Sequence, residues 1–66
     1  NVKLINTLKV YFLFNLNISK TAEELNVTRN TVAARLDKIK SLTGLTPSDF
    51  NDAVKLKVLL TAMDVK

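Results

Sequence analysis

Gly44 and Pro47 are the only glycine and the only proline among 66 residues, and they stand three positions apart. A chain so poor in turn formers has little material for the repeated tight reversals of a hairpin sheet. No stretch alternates apolar and polar residues with the period of two that marks a half-buried strand. Apolar residues recur instead at helical spacing, which predicts an all-α fold, a small bundle of four to five helices. The length fits one domain spanning 1–66, near the lower limit for folding alone, since such a chain buries only about 60% of its unfolded surface. A hydrophobic share of 47% is enough for a core and too high for a disordered segment.

The first helix is expected from Val2 to Phe14, with Leu4, Ile5, Leu8 and Phe12 on one face. Asn15-Leu16-Asn17 ends it with turn-tolerant residues. Ser19 is placed to cap a short second helix running to Leu25, with Ile18, Ala22 and Leu25 turned inward. Asn26 tolerates the left-handed conformation of a tight interhelical turn. Thr28 caps a longer third helix over about Arg29–Thr43, and Val27 and Val32 have the spacing of a hydrophobic staple. Val32, Leu36 and Ile39 form its inner stripe, and Gly44 stands where a C-terminal glycine belongs. Thr46-Pro47-Ser48-Asp49 reads as a capping box with proline in the first helical position, good for one short turn. The last helix then starts at Asn51 or Asp52 and runs to about Asp64.

A short helix, a turn of a few residues and a longer helix is the layout of a helix-turn-helix. Ala22 is small where two helices must cross closely, Asn26 reverses the chain, and Val32 and Leu36 lock the long helix inward. Its first turn is left projecting, and in such folds that turn meets base edges in the major groove of DNA. The residue types suit the task. Arg29 can donate two parallel bonds to guanine, Asn30 can pair with adenine, and Thr31 can bond a base or set its methyl on that of thymine. Thr28 and the free N–H groups of the helix start suit a phosphate. Arg35 and Lys38 are candidate phosphate contacts, as is Lys20 near the start of the second helix. From Thr28 to Lys40 four basic residues face one acid, Asp37, within a chain of net charge +4.

The stretch from Asn17 to Leu45, with Arg29-Asn30-Thr31, Arg35-Leu36, Ile39 and Leu42-Thr43-Gly44, resembles the C-terminal helix-turn-helix domain of PucR-type bacterial regulators, which include purine-catabolism and sugar-diacid regulators. The likeness extends to the leading apolar helix and to the final Asp52-x-Val54-x-Leu56 helix. A similar core, more loosely shared, is that of Fis-type domains. The resemblance implies sequence-specific DNA binding in transcription regulation, with the recognition helix headed by Arg29, Asn30 and Thr31. It implies a C-terminal piece of a longer regulator that acts as a homodimer or larger assembly, attached to an upstream sensory domain, and the lack of cysteine makes the cytoplasm the expected compartment. The chain departs from the family at Thr28, where His is frequent, and at Leu16, where Gly or a polar residue is more usual. Ala33 and Ala34 stand where basic or aromatic residues are common, and leave the second turn without a long side chain to reach a base.

An enzyme is not expected. The chain has no His and no Cys, and no Gly-rich phosphate loop or carboxylate pair set in a pocket. Metal ligands are lacking and no cofactor is expected. No apolar run is long enough to span a membrane. The competing reading is a helix-turn-helix used for dimerisation or docking without DNA contact. Val10, Phe14, Leu56 and Leu60 favour it, since a bundle this small is expected to leave them exposed for a twin subunit or an upstream domain.

Overall fold

The computed structural model describes residues 2–64, folded into four helices: α1 (Val2–Leu13), α2 (Ile18–Leu25), α3 (Arg29–Thr43) and α4 (Phe50–Asp64). The all-helical expectation holds, and the described residues form no strand. The body measures 29 × 24 × 21 Å. α1 is the central element. Its backbone approaches those of α2, α3 and α4, whereas α4 approaches only α1.

The core is built from Leu8 and Tyr11 of α1, Ala22 of α2, Val32, Leu36 and Ile39 of α3, and Leu56 and Leu60 of α4. Leu4, Ile5, Phe12, Leu16, Ile18, Val27 and Leu45 pack around it. The inner stripe expected for α3 is therefore the observed one. Two threonines complete the interior. Thr7 and Thr21 are fully buried, and each satisfies its hydroxyl by donating to the carbonyl four residues back, Lys3 and Asn17, at 2.7 Å.

Leu56 and Leu60, expected on the outside, are buried at 2% and 7% exposure, while Val10 and Phe14 are half-buried. The apolar surplus of α4 lies instead at Phe50, Val54, Val58, Leu59 and Met63. Leu56 and Leu60 stand four residues apart on the one face of α4 that joins Leu8 and Tyr11 of α1 in the core. α4 begins at Phe50, earlier than expected, because Asp49 accepts the N–H of Asp52 at 3.1 Å in the manner of a cap. Asp52 in turn accepts the N–H of Thr46 at 2.9 Å. These two bonds close the Thr46–Asp49 turn ahead of the helix. Phe50, at the start of the helix, is exposed.

The loop after α1 closes with Asn15 N–H to Phe12 and Leu16 N–H to Tyr11, at 3.1 and 2.8 Å. Asn15 and Leu16 both take positive φ, 57° and 65°. Asparagine accepts this readily, but for leucine it is strained. The Leu16 side chain packs on the core, which offsets the strain by burying apolar surface.

Candidate nucleic-acid interface

α2 is capped by Asn17 rather than Ser19. The Asn17 side chain accepts the N–H of Lys20 at 2.9 Å from an extended backbone. This starts the helix two residues earlier and puts Lys20 on its exposed first turn. At the other end Asn26 adopts φ 58° and ψ 44°. Its N–H bonds Glu23 and the next N–H, that of Val27, bonds Ala22, at 3.2 and 3.0 Å. This paired closure satisfies the Ala22 and Glu23 carbonyls and turns the chain within three residues. Ala22 is buried at the crossing, as its small size requires.

α3 then begins on Thr28, whose hydroxyl accepts the N–H of Thr31 at 3.2 Å and lies 3.0 Å from the Thr31 hydroxyl. Val27, just before the cap, packs on the cluster that contains Val32. Cap and staple together fix the direction in which the first turn of α3 leaves the body. Thr28, Arg29 and Asn30 are exposed and Thr31 is half-buried, its hydroxyl held within the cap. Further along, Ala34, Asp37, Lys38 and Ser41 are exposed and Ala33 is half-exposed. Asn30, Ala34, Asp37 and Ser41 fall on one strip at about 100° per residue. At the same spacing Arg29 and Lys38 lie on opposite flanks of the strip.

Electrostatically the strip is graded. Its first turn carries Arg29 and the helix-start N–H groups that the Thr28 cap does not use, at the positive end of the helix dipole. Its third turn carries the carboxylate of Asp37. An anion approaching the strip is drawn to the amino-terminal end of α3, and further along the exposed Lys38 and Lys40 outweigh the single carboxylate of Asp37.

Arg35 stands apart from the other basic residues. It is half-buried, and its guanidinium donates to the Thr7 hydroxyl at 3.2 Å, across to α1. Of the candidate residues, the fold thus brings Thr28, Arg29, Asn30 and Thr31 together on one exposed turn. Lys38 follows on the same helix, Lys20 is on the neighbouring helix, and Arg35 is engaged with the interior.

A short helix, a tight turn at Asn26 and a longer helix with a projecting polar first turn make this a helix-turn-helix domain. A model of the PucR C-terminal helix-turn-helix domain matches residues 4–62, and this chain belongs to that family. Among curated proteins, the purine catabolism regulatory protein of Bacillus subtilis (strain 168) is 40% identical over 57 residues, covering 86% of this chain and 11% of that protein. YsfB of the same organism, itself uncharacterized, is 36% identical over 62 residues, covering 94% of this chain and 17% of the relative. An uncharacterized protein of Haemophilus influenzae is 43% identical over 56 residues, covering 85% and 15%. The chain thus spans less than a fifth of the length of each of these relatives. No solved structure matches it significantly.

Proposed function

We propose that this domain binds double-stranded DNA in a sequence-specific manner, with α3 in the major groove, as part of a transcription regulator. The observation that carries the reading is the first turn of α3. Thr28, Arg29 and Asn30 are exposed at a helix N-terminus that is rigidly capped, stapled and stripped of other bulk. Family membership and the regulator from Bacillus subtilis support it.

In this mechanism Arg29 and Asn30 read bases through paired hydrogen bonds. Thr31, with its hydroxyl engaged by Thr28, offers its methyl to thymine. Thr28, Lys20 and Lys38 hold phosphates. Arg35, first expected as a phosphate contact, acts mainly by tying α3 to α1 through Thr7. The short side chains of Ala33 and Ala34 allow the helix to sit close to the groove floor. Two copies bind half-sites about one helical turn, roughly 34–36 Å, apart. The domain has no enzymatic role in this reading and works in the cytoplasm as one module of a longer regulator. No helix among the described residues is long and apolar enough to cross a membrane.

Competition binding with a randomised duplex pool tests these assignments. Arg29→Ala should cost about 1–3 kcal/mol and relax preference at one base position, while Lys38→Ala should weaken all sequences alike. Equal losses on every sequence for Arg29→Ala would demote it from base reader to phosphate contact.

A further inference from the structure

Asp37 is the only acid on α3, and it stands on the outward strip with Asn30, Ala34 and Ser41. It is exposed, and among the described residues its carboxylate has no ion pair or hydrogen bond. Two exposed lysines flank it. At helical spacing Lys38 lies about 100° to one side of it and Lys40 about 60° to the other.

An anion on a strip that enters the major groove has a cost. It meets two rows of phosphates, so Asp37 lowers affinity for duplexes in general. Only a base that donates a hydrogen bond into the groove offsets that loss. Guanine presents N7 and O6 there, and thymine presents O4 and a methyl group, so neither donates. Adenine donates from its N6 amino group but sets the N7 lone pair beside it. Cytosine donates from its N4 amino group with no acceptor of its own alongside. We infer that Asp37 reads a cytosine by accepting a hydrogen bond from its N4 amino group, and so gives the recognition helix a second point of sequence discrimination beyond its first turn. The inference rests on the groove-binding reading and deepens it.

Reach supports this assignment. An aspartate side chain is short and touches a base edge only where the helix lies close to the groove floor. Ala33 and Ala34 leave the turn before it without bulk. Positions 30, 33, 34 and 37 have the i, i+3, i+4, i+7 spacing by which a helix lying along the groove, as in homeodomains, brings several residues to base edges. Lys38 and Lys40, one on each side, offset the charge that Asp37 carries into the groove. From Asn30 to Asp37 the helix rises about 10.5 Å. That is about three base pairs at roughly 3.4 Å each. The cytosine is therefore expected about three base pairs from the base that Asn30 reads.

Selection from a randomised duplex pool at low salt, run with the parent chain, Asp37→Ala and Asp37→Asn, tests the inference. The site is exposed, so both substitutions leave the core intact. The parent chain should prefer cytosine at that position by about fivefold over adenine, the low end for a good base contact, and by more over guanine and thymine. Asp37→Ala should flatten this one position, leave those read by Arg29 and Asn30 unchanged, and strengthen binding to unselected duplex. Asp37→Asn should turn the preference from cytosine to adenine, because an amide both accepts from N6 and donates to N7. If both variants bind every duplex more tightly and select the parent's sequence, Asp37 only repels phosphate and the inference is overturned. A parent chain that selects a sequence but has no cytosine at that distance overturns it as well, and leaves the first-turn reading intact. A parent chain that selects no sequence at all overturns base reading by α3 as a whole, Asp37 included.

Discussion

Arg35 of α3 donates a 3.2 Å hydrogen bond to the hydroxyl of Thr7 on α1, and that hydroxyl donates onward to the Lys3 carbonyl at 2.7 Å. Thr7 is completely buried, so the contact fixes where the middle of α3 rests on the central helix. A hydrogen bond to a charged group contributes about 1.5–3 kcal/mol, less where water reaches the charge as it does at half-buried Arg35. Thr7→Val keeps the volume and removes the hydroxyl; it is expected to cost about 1–2 kcal/mol in chemical denaturation. Arg35→Met should lose stability in the same way while leaving the salt dependence of DNA binding unchanged. A slope reduced by about one in that variant would make Arg35 a phosphate contact after all.

The cap of α3 serves both the fold and the proposed interface. Thr28→Ala removes the acceptor for the Thr31 N–H and should destabilise the domain by about 1 kcal/mol. Thr28→Ser should restore nearly all of it. Thermal unfolding of the three chains decides whether the hydroxyl matters as a cap.

Two turns depend on left-handed backbone. Gly44 has φ 75°, and a Cβ added there would meet nothing within 4 Å. The cost of Gly44→Ala is therefore purely conformational, about 1–2 kcal/mol. Asn26, at φ 58°, should accept Gly almost without effect, whereas Asn26→Val should cost more than Gly44→Ala because β-branched residues fit that region worst. Denaturant midpoints of the three variants check the order.

Burial of Tyr11 raises its hydroxyl above the ordinary value of 10.0. A group whose proton is held more tightly in the folded state contributes stability below its unfolded value, and that contribution fades as pH rises through the folded one. The domain should therefore lose stability above about pH 10. Tyr11→Phe, whatever its cost at neutral pH, should show a shallower alkaline decline in urea denaturation.

The helix-turn-helix was legible because its signals are local. Thr28, Asn26 and Gly44 each act through a backbone conformation or a cap within a few residues, and the Val32–Leu36–Ile39 stripe follows from helical period alone. Family motifs carried the likeness to PucR-type domains for the same reason. What was not legible depends on tertiary register. Nothing in the sequence marks Thr7 as the buried partner of Arg35, because the pair is separated by 28 positions and threonine is seldom interior. Asn17 and Ser19 are both good caps, and only the closure of the preceding loop chooses between them. In α4 apolar residues surround the helix, so periodicity could not tell the face that meets α1 from the faces that do not.

The most direct test of DNA reading is an amide-shift titration of the domain by NMR with a short mixed-sequence duplex at low salt. It detects weak binding, as a single half-site contact requires. The expected result is a cluster of shifts from Thr28 to Lys38, with Lys20 included, fading as salt rises because phosphate contacts release counterions. Shifts absent from the first turn of α3, or confined to α1 and α4, would contradict groove binding and leave a module for contacts between proteins.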